Sequence, residues 1–202
     1  MADHSSHPLD TLPFDAVATA GHYGVAGTLG VTARRIDGLS IATLAARKGD
    51  DDALAEAVRG ALGLELPRAS RAVFAGARTL IGTAPGRWLA LSGLDRDIAG
   101  TLRAALGPLA AITDQSDAVV TLDLTGPKVA DTLAKGALID LDPRVFLPGM
   151  AATTVLAHIG ITLWRREEAT WRLLVARSFE AALLRFLVSS AAEYGFELDD
   201  RG

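Results

Sequence analysis

Residues 113–143, TDQSDAVVTLDLTGPKVADTLAKGALIDLDP, hold in succession a polar cluster, an alternating strand, a helix start and an acidic turn. Val120, Leu122 and Leu124 fall on one face of the strand, with Thr121 and Asp123 on the other. That period of two is what a pleated, half-buried backbone imposes. Gly126 and Pro127 end the strand, and the fixed φ of proline suits the first turn of a helix that continues through Val129, Leu133 and Leu138. Asp140 and Asp142 follow, ahead of Pro143.

Working outward from this stretch, the same order of elements occurs on both sides. Downstream, residues 140–149 read as a loop with two prolines, 153–165 as a long strand, 166–169 as a turn and 170–177 as the returning strand. Ser178 is placed to cap a long helix whose inward face is Phe179, Ala182, Leu183, Phe186, Leu187 and Tyr194. Gly195 closes it, leaving residues 196–198 for a final strand. Upstream, residues 36–47 have strand character, and Leu54, Ala57, Val58, Ala61 and Leu62 mark a helix at i, i+3, i+4, i+7, i+8. Residues 72–83 and 88–92 form a hairpin across Ala84, Pro85 and Gly86. Residues 95–106 form a second helix with Ile98, Leu102, Ala105 and Leu106 on one face, stopped at Gly107 and Pro108, and 109–113 a short strand. Trp88 and Trp171 each open the second strand of a hairpin. The repeated order predicts an α+β fold of two ferredoxin-like β-α-β-β-α halves in one body. The chain divides into an N-terminal arm (1–35), a first half (36–112) and a second half (113–202).

Half of the 202 residues are hydrophobic and the net charge is −4 with both signs dispersed. A packed core is expected, and no basic block marks a nucleic-acid surface. The absence of cysteine removes disulfides, thiolate catalysis, iron–sulfur clusters and cysteine-type zinc sites. No apolar run reaches the ~18 residues a membrane helix needs. Residues 1–10, MADHSSHPLD, lack the basic and apolar regions of a secretory signal. The expectation is a soluble, cytoplasmic chain with no membrane partner. In the arm, His4, His7 and Pro8 give a polar, mobile start. Gly21, Gly24, Gly27 and Gly30 recur every third residue without the strand and spacing of a dinucleotide fingerprint. They suit a flexible arm, or one that orders against a partner by close backbone approach.

Each candidate for chemistry has a plainer structural reading. Asp50, Asp51 and Asp52 resemble a metal cluster, but at a helix start they complement free N–H groups and the positive dipole end. Asp114, Ser116 and Asp117 suit a polar ligand, or turn chemistry in which side chains bond nearby N–H groups. Asp140 and Asp142 suit an acid–base pair, or an Asx turn. His158 lies between Ala157 and Ile159 in a strand pattern with no nucleophile motif nearby, which favours a core or interface histidine. Arg177 and Ser178 stand at a helix N-terminus that suits an anion or simple capping. Trp164 and Trp171 read as core, or as anchors if their face is open. No catalytic, cofactor-binding or metal-ligating residue is assigned.

The segments TDQSDAVVTLDLTGP, LAKGALIDLDP, FLPG, TTVLAHIGITLW and W-x-LLVARSF, in this order, closely resemble the gamma subunit of heterotetrameric sarcosine oxidase. The resemblance spans roughly residues 88–195 and more loosely extends back to residue 36. It implies a fold similar to the folate-binding domain of glycine-cleavage aminomethyltransferases. It implies a non-catalytic subunit beside alpha, beta and delta chains, in a complex that oxidises sarcosine to glycine, makes hydrogen peroxide and passes the one-carbon unit to tetrahydrofolate. It places FAD, FMN, NAD and tetrahydrofolate in the partner subunits and none in this chain. The alternatives are a stand-alone folate-binding or aminomethyltransferase-like protein, and more weakly a hydrolase using Asp114 with Asp117 or Asp140 with Asp142. An obligate subunit should also expose an apolar patch when isolated.

Overall fold

The computed structural model describes residues 18–27, 29–47, 49, 51–68 and 70–199; His4, His7, Pro8 and Asp50 lie outside them. In chain order the elements are β1 (Gly21–Tyr23), β2 (Val31–Ile36), β3 (Ser40–Ala46), α1 (Asp51–Leu62), β4 (Ala72–Ala75), β5 (Arg78–Ala84), β6 (Arg87–Ser92) and α2 (Ile98–Leu106). They continue with β7 (Ala110–Asp114), β8 (Val119–Thr125), α3 (Val129–Ala134), β9 (Ala151–Leu156), β10 (Ile159–Glu167), β11 (Thr170–Ala176), α4 (Glu180–Ala191) and β12 (Phe196–Asp199).

The fold is α+β with two ferredoxin-like units. The first sheet runs β4-β5-β6-β3-β7, so the four strands around α1 and α2 take the ferredoxin-like order with β4 added at one edge. The second runs β1-β12-β2-β8-β11-β10-β9. Here β2, from the region read as an arm, is inserted between β8 and β12, antiparallel to the former and parallel to the latter. The two hairpins match in detail. Both carry a register shift before the turn, between Gly82 and Ala84 and between Arg165 and Glu167, and Trp88 and Trp171 pair with Gly82 and Arg165.

Four layers result. Leu54, Val58 and Leu62 of α1, with Ile98, Leu102 and Leu106 of α2, pack on Ala42, Leu44, Leu80 and Ala90 of the first sheet. Leu183, Leu187 and Val188 of α4, with Val129 and Leu133 of α3, pack on Val120, Leu122, Leu124 and Leu173 of the second. Between the sheets, Ile41, Ile81, Leu89 and Leu91 meet Ala151, Trp164 and Leu174. Strands β5 and β6 are therefore buried on both faces, which is why WLALS reads as a continuous apolar run. Trp164 and Trp171 are both buried, but Trp164 faces the other sheet and Trp171 the helices.

Several local readings differ. Residues 36–47 form no single strand: the chain leaves β2, turns at 37–39 and enters β3 in the other sheet. Residues 72–83 and 153–165 each contain a hairpin, at Gly76 and Ala77 and at Ala157 and His158. Ala157 and His158 take φ of 48° and 68°, the left-handed values a tight hairpin requires, without the asparagine or glycine that would advertise them. Ser178 does not cap α4. Residues 177–179 form a 3₁₀ turn, and Phe179, at the N-cap, makes no side-chain capping bond. Phe179, Ala182, Ala105 and Leu138 are exposed where inward positions were expected.

Two of the glycines of the arm, Gly24 and Gly30, approach this chain itself, against Ala192 and Tyr194. Val25 N donates to Ala192 O at 2.9 Å and Gly30 N to Tyr194 O at 2.8 Å, docking the segment on the end of α4. A Cβ on Gly30 would lie 2.5 Å from Tyr194 Cβ and 2.6 Å from Tyr194 O. Gly30→Ala should therefore lower stability by about 1–3 kcal/mol, as overpacking of a filled site does. Urea unfolding checks this; a midpoint equal to that of the parent chain would show that the segment moves aside without cost.

Candidate functional site

Asp114, Asp140 and Asp142 are engaged in turns. Asp114 Oδ1 accepts from Ser116 N at 2.9 Å and Ser116 Oγ at 2.7 Å. Ser116 Oγ in turn accepts from Ile41 N at 3.0 Å, tying the junction between the halves to β3. The Ser116 N–H and hydroxyl hold the Asp114 carboxyl below the usual range. Asp140 Oδ1 accepts from Asp142 N at 2.8 Å, and Asp142 Oδ1 from Arg144 N at 2.8 Å. These are successive Asx turns, each carboxylate bonding the backbone two residues on.

Arg144 also donates Nε to both oxygens of Asp142, at 3.0 and 3.1 Å, and its side-chain bonds, followed by its backbone N–H, lower the Asp142 pKa to about 2. A general acid or base works best with a pKa near the working pH, and Asp142 is held far from it. Its depressed value favours the folded loop above the ordinary carboxylate pKa of about 4, and that advantage disappears as pH falls through 2. In an NMR titration the Asp142 carboxyl should give a midpoint near 2; one near the ordinary value would mean that the Arg144 fork does not form in solution.

His158, expected in the core or an interface, lies outside the core, exposed at its hairpin turn. Arg177 holds a loop: its Nε donates to Asp117 O at 2.8 Å and its N–H to Ala118 O at 2.9 Å. The first turn of α4 carries its own carboxylate, Glu180, paired with Arg35 at 2.9 Å. Asp51 and Asp52 sit exposed in the first turn of α1, where they complement its dipole. Among the described residues no three His, Asp or Glu side chains converge as a metal site.

Two clusters went unread in the sequence. Asp123, on central strand β8, lies opposite Arg34 on one side and Arg172 on the other. Arg172 Nε and Nη2 reach its two oxygens at 2.5 and 2.6 Å, with both side chains nearly buried, and Arg166 adds a contact at 3.4 Å. The sequence shows Asp123 only on the polar face of an alternating strand; its burial, and with it the need for a charged partner, comes with the fold. The partner could not be named without the register. Arg34, Asp123 and Arg166 line one cleft on this side of the second sheet, and Arg166 and Arg172 another. The latter, of about 430 Å³, runs from Phe74 and Thr79 to Arg166 and Arg172.

The second cluster centres on Arg165, which is 5% exposed. Its Nη1 donates to Pro143 O and Phe146 O at 2.8 Å each, and its Nε and Nη2 to Glu168 O at 3.2 and 2.6 Å. The guanidinium lies 5.5 Å from the Trp171 ring centre, and Trp171 stacks on Phe146 at 5.2 Å. One buried cation thus pins the loop between α3 and β9 to the sheet. Its five donors in a fixed fork suit several carbonyls at once.

A family model described as the sarcosine oxidase, gamma subunit family matches residues 47–193. Sarcosine oxidase subunit gamma of Corynebacterium sp. (strain P-1) is 35% identical over 151 residues, covering 72% of this chain and 71% of that protein. The solved heterotetrameric sarcosine oxidase from Corynebacterium sp. U-96, in complex with pyrrole 2-carboxylate, contains a chain that superposes with a TM-score of 0.76 at 30% identity, covering 85% of this chain and 88% of that one. Glycine cleavage system aminomethyltransferase T from Bartonella henselae superposes with a TM-score of 0.62 at 16% identity over 85% of this chain and 48% of that one, a likeness of fold alone.

Proposed function

This chain belongs to the sarcosine oxidase gamma subunit family, and on that premise we propose that it is the gamma subunit of a heterotetrameric sarcosine oxidase, without an active site of its own. The carrying observation is the likeness over most of both chains, 85% of this one and 88% of the oxidase chain. A further support is that three of the four candidate carboxylates are committed to folding: Asp114 to Ser116, Asp140 to the Asp142 N–H and Asp142 to Arg144. In this reading the alpha, beta and delta subunits hold FAD, FMN, NAD and tetrahydrofolate. They demethylate sarcosine to glycine, release hydrogen peroxide and pass the one-carbon unit to the folate. The chain is organised as an arm (1–35) and two halves (36–112 and 113–202), with the arm lending a strand to the sheet of the second half.

Co-expression with candidate alpha, beta and delta chains tests the proposal. The expected result is a complex that contains this chain and fails to assemble or turn over sarcosine without it. Normal assembly and turnover in its absence would sink the reading. A second reading, a folate-binding or aminomethyl-transferring protein acting alone, draws on the fold shared with aminomethyltransferase T, and fold by itself does not carry function. Calorimetric titration of the isolated chain with tetrahydrofolate separates the two, since the accessory reading expects no heat of binding at millimolar ligand.

A further inference from the structure

Among the described residues nine large apolar side chains are exposed, and four of them, Leu138, Val145, Leu147 and Val155, fall within residues 138–155. Leu138 is 78% exposed, the highest of the nine. These residues belong to β9, the last strand of its sheet, and to the loop that leads into it. Beside Leu138 and Val155 is a cavity of about 430 Å³, walled by these two with Ala137 and Phe186 and bordered by His158. The patch has a polar rim: Arg144 with Asp142 on the loop and Lys135 with Glu193 below it. An apolar centre with a pocket and a polar rim is the anatomy of a protein–protein contact.

The loop presenting these side chains is held in one shape. Arg165 binds two of its carbonyls, Phe146 is stacked under Trp171, and Leu141 is buried. Val145 N and Phe146 N both donate to Asp142 O at 2.8 Å, and Gly149 N to Arg165 O at 2.8 Å. The exposed leucines and valines therefore stand on a rigid base, so covering them needs little further ordering, and preorganisation of this kind favours association.

Resting on the accessory-subunit reading, we propose that residues 137–158 form the surface by which this chain docks on an unlike subunit of the oxidase, whose apolar side chain fills the cavity between Leu138, Val155 and Phe186. The likeness to a chain of a heterotetrameric assembly supports an unlike partner over a second copy.

The test uses the co-expressed complex, captured through a tag on a partner subunit. The patch variant is Leu138→Asp with Val155→Asp; the controls are Leu94→Asp and Phe179→Asp, which charge exposed apolar positions elsewhere. Wild type and both controls should co-purify, and the patch variant should lose about tenfold or more, as removal of a central anchor does. A patch variant that co-purifies like wild type, or controls that fail equally, overturns the docking surface while leaving the accessory reading intact. Failure of the wild-type chain to co-purify with any subunit overturns the accessory reading and the surface with it. Should the patch variant not fold, hydrogen exchange of the wild-type chain decides: slowing across residues 137–158 on assembly is expected, and unchanged exchange there overturns the proposal. Sedimentation of the isolated chain closes the remaining case, because a dimer dissolved by the same two substitutions would assign the patch to a second copy instead.

Discussion

Replacing Arg165 by methionine should lower the unfolding free energy by about 3 kcal/mol and release the loop between α3 and β9. Methionine keeps much of the volume beside Trp171 but donates no hydrogen bond. The carbonyls of Pro143, Phe146 and Glu168 then lose their donor, and each that stays shielded from water costs ~1–3 kcal/mol. Arg165→Lys should recover part of the loss, because an ammonium is a compact charge without the fork that spans both sides of the site. Urea unfolding gives the stability change, and hydrogen exchange at Val145, Phe146 and Gly149 reports the loop. Two variants within about 0.5 kcal/mol of the parent would mean that the buried guanidinium is a passenger. If the surface proposed for residues 137–158 is right, Arg165→Met should also weaken assembly without touching any exposed residue.

Removing Asp123 should be at least as damaging. Asp123→Ala leaves Arg172, whose side chain is 11% exposed, facing a low-dielectric strand interior without its counter-charge. Breaking one side of such a pair costs about 3–5 kcal/mol. The double replacement Asp123→Leu with Arg172→Met removes both charges and should return stability to within about 1 kcal/mol of the parent, since a buried ion pair contributes little net energy against apolar side chains of similar volume. Chemical denaturation of the two variants makes the comparison. A double variant as unstable as the single one would point to Arg34 or Arg166, which also face this carboxylate, as the groups left uncompensated.

Local chemistry was legible wherever one stretch of chain settles its own conformation. The alternation of Val120, Leu122 and Leu124, the period of Leu54, Val58 and Leu62, and the stop at Gly107 were open to reading, because backbone geometry alone sets those patterns. The Asx turns at Asp114 and Asp142 were open for the same reason. Hairpins lacking their usual turn residues were not. Ala157 and His158 hold left-handed φ values because strands β9 and β10 pair on either side, and that pairing is a property of the assembled sheet.

The sequence by itself determined the fold class, the duplicated order of elements and the turn chemistry of its most conspicuous acids, since each rests on periodicity or on contacts a few residues apart; the family came from the likeness of whole segments to known relatives. Only the tertiary structure decided that β2 crosses into the second sheet, that Asp123 meets Arg172 from 49 positions away, and that Arg165 fastens the loop at 140–149. Those contacts depend on strand register and on which faces two sheets turn toward each other. In the stretch 113–143 the acids that looked like chemistry are turns, and Asp123, which looked like an ordinary outward-facing residue, is the buried charge.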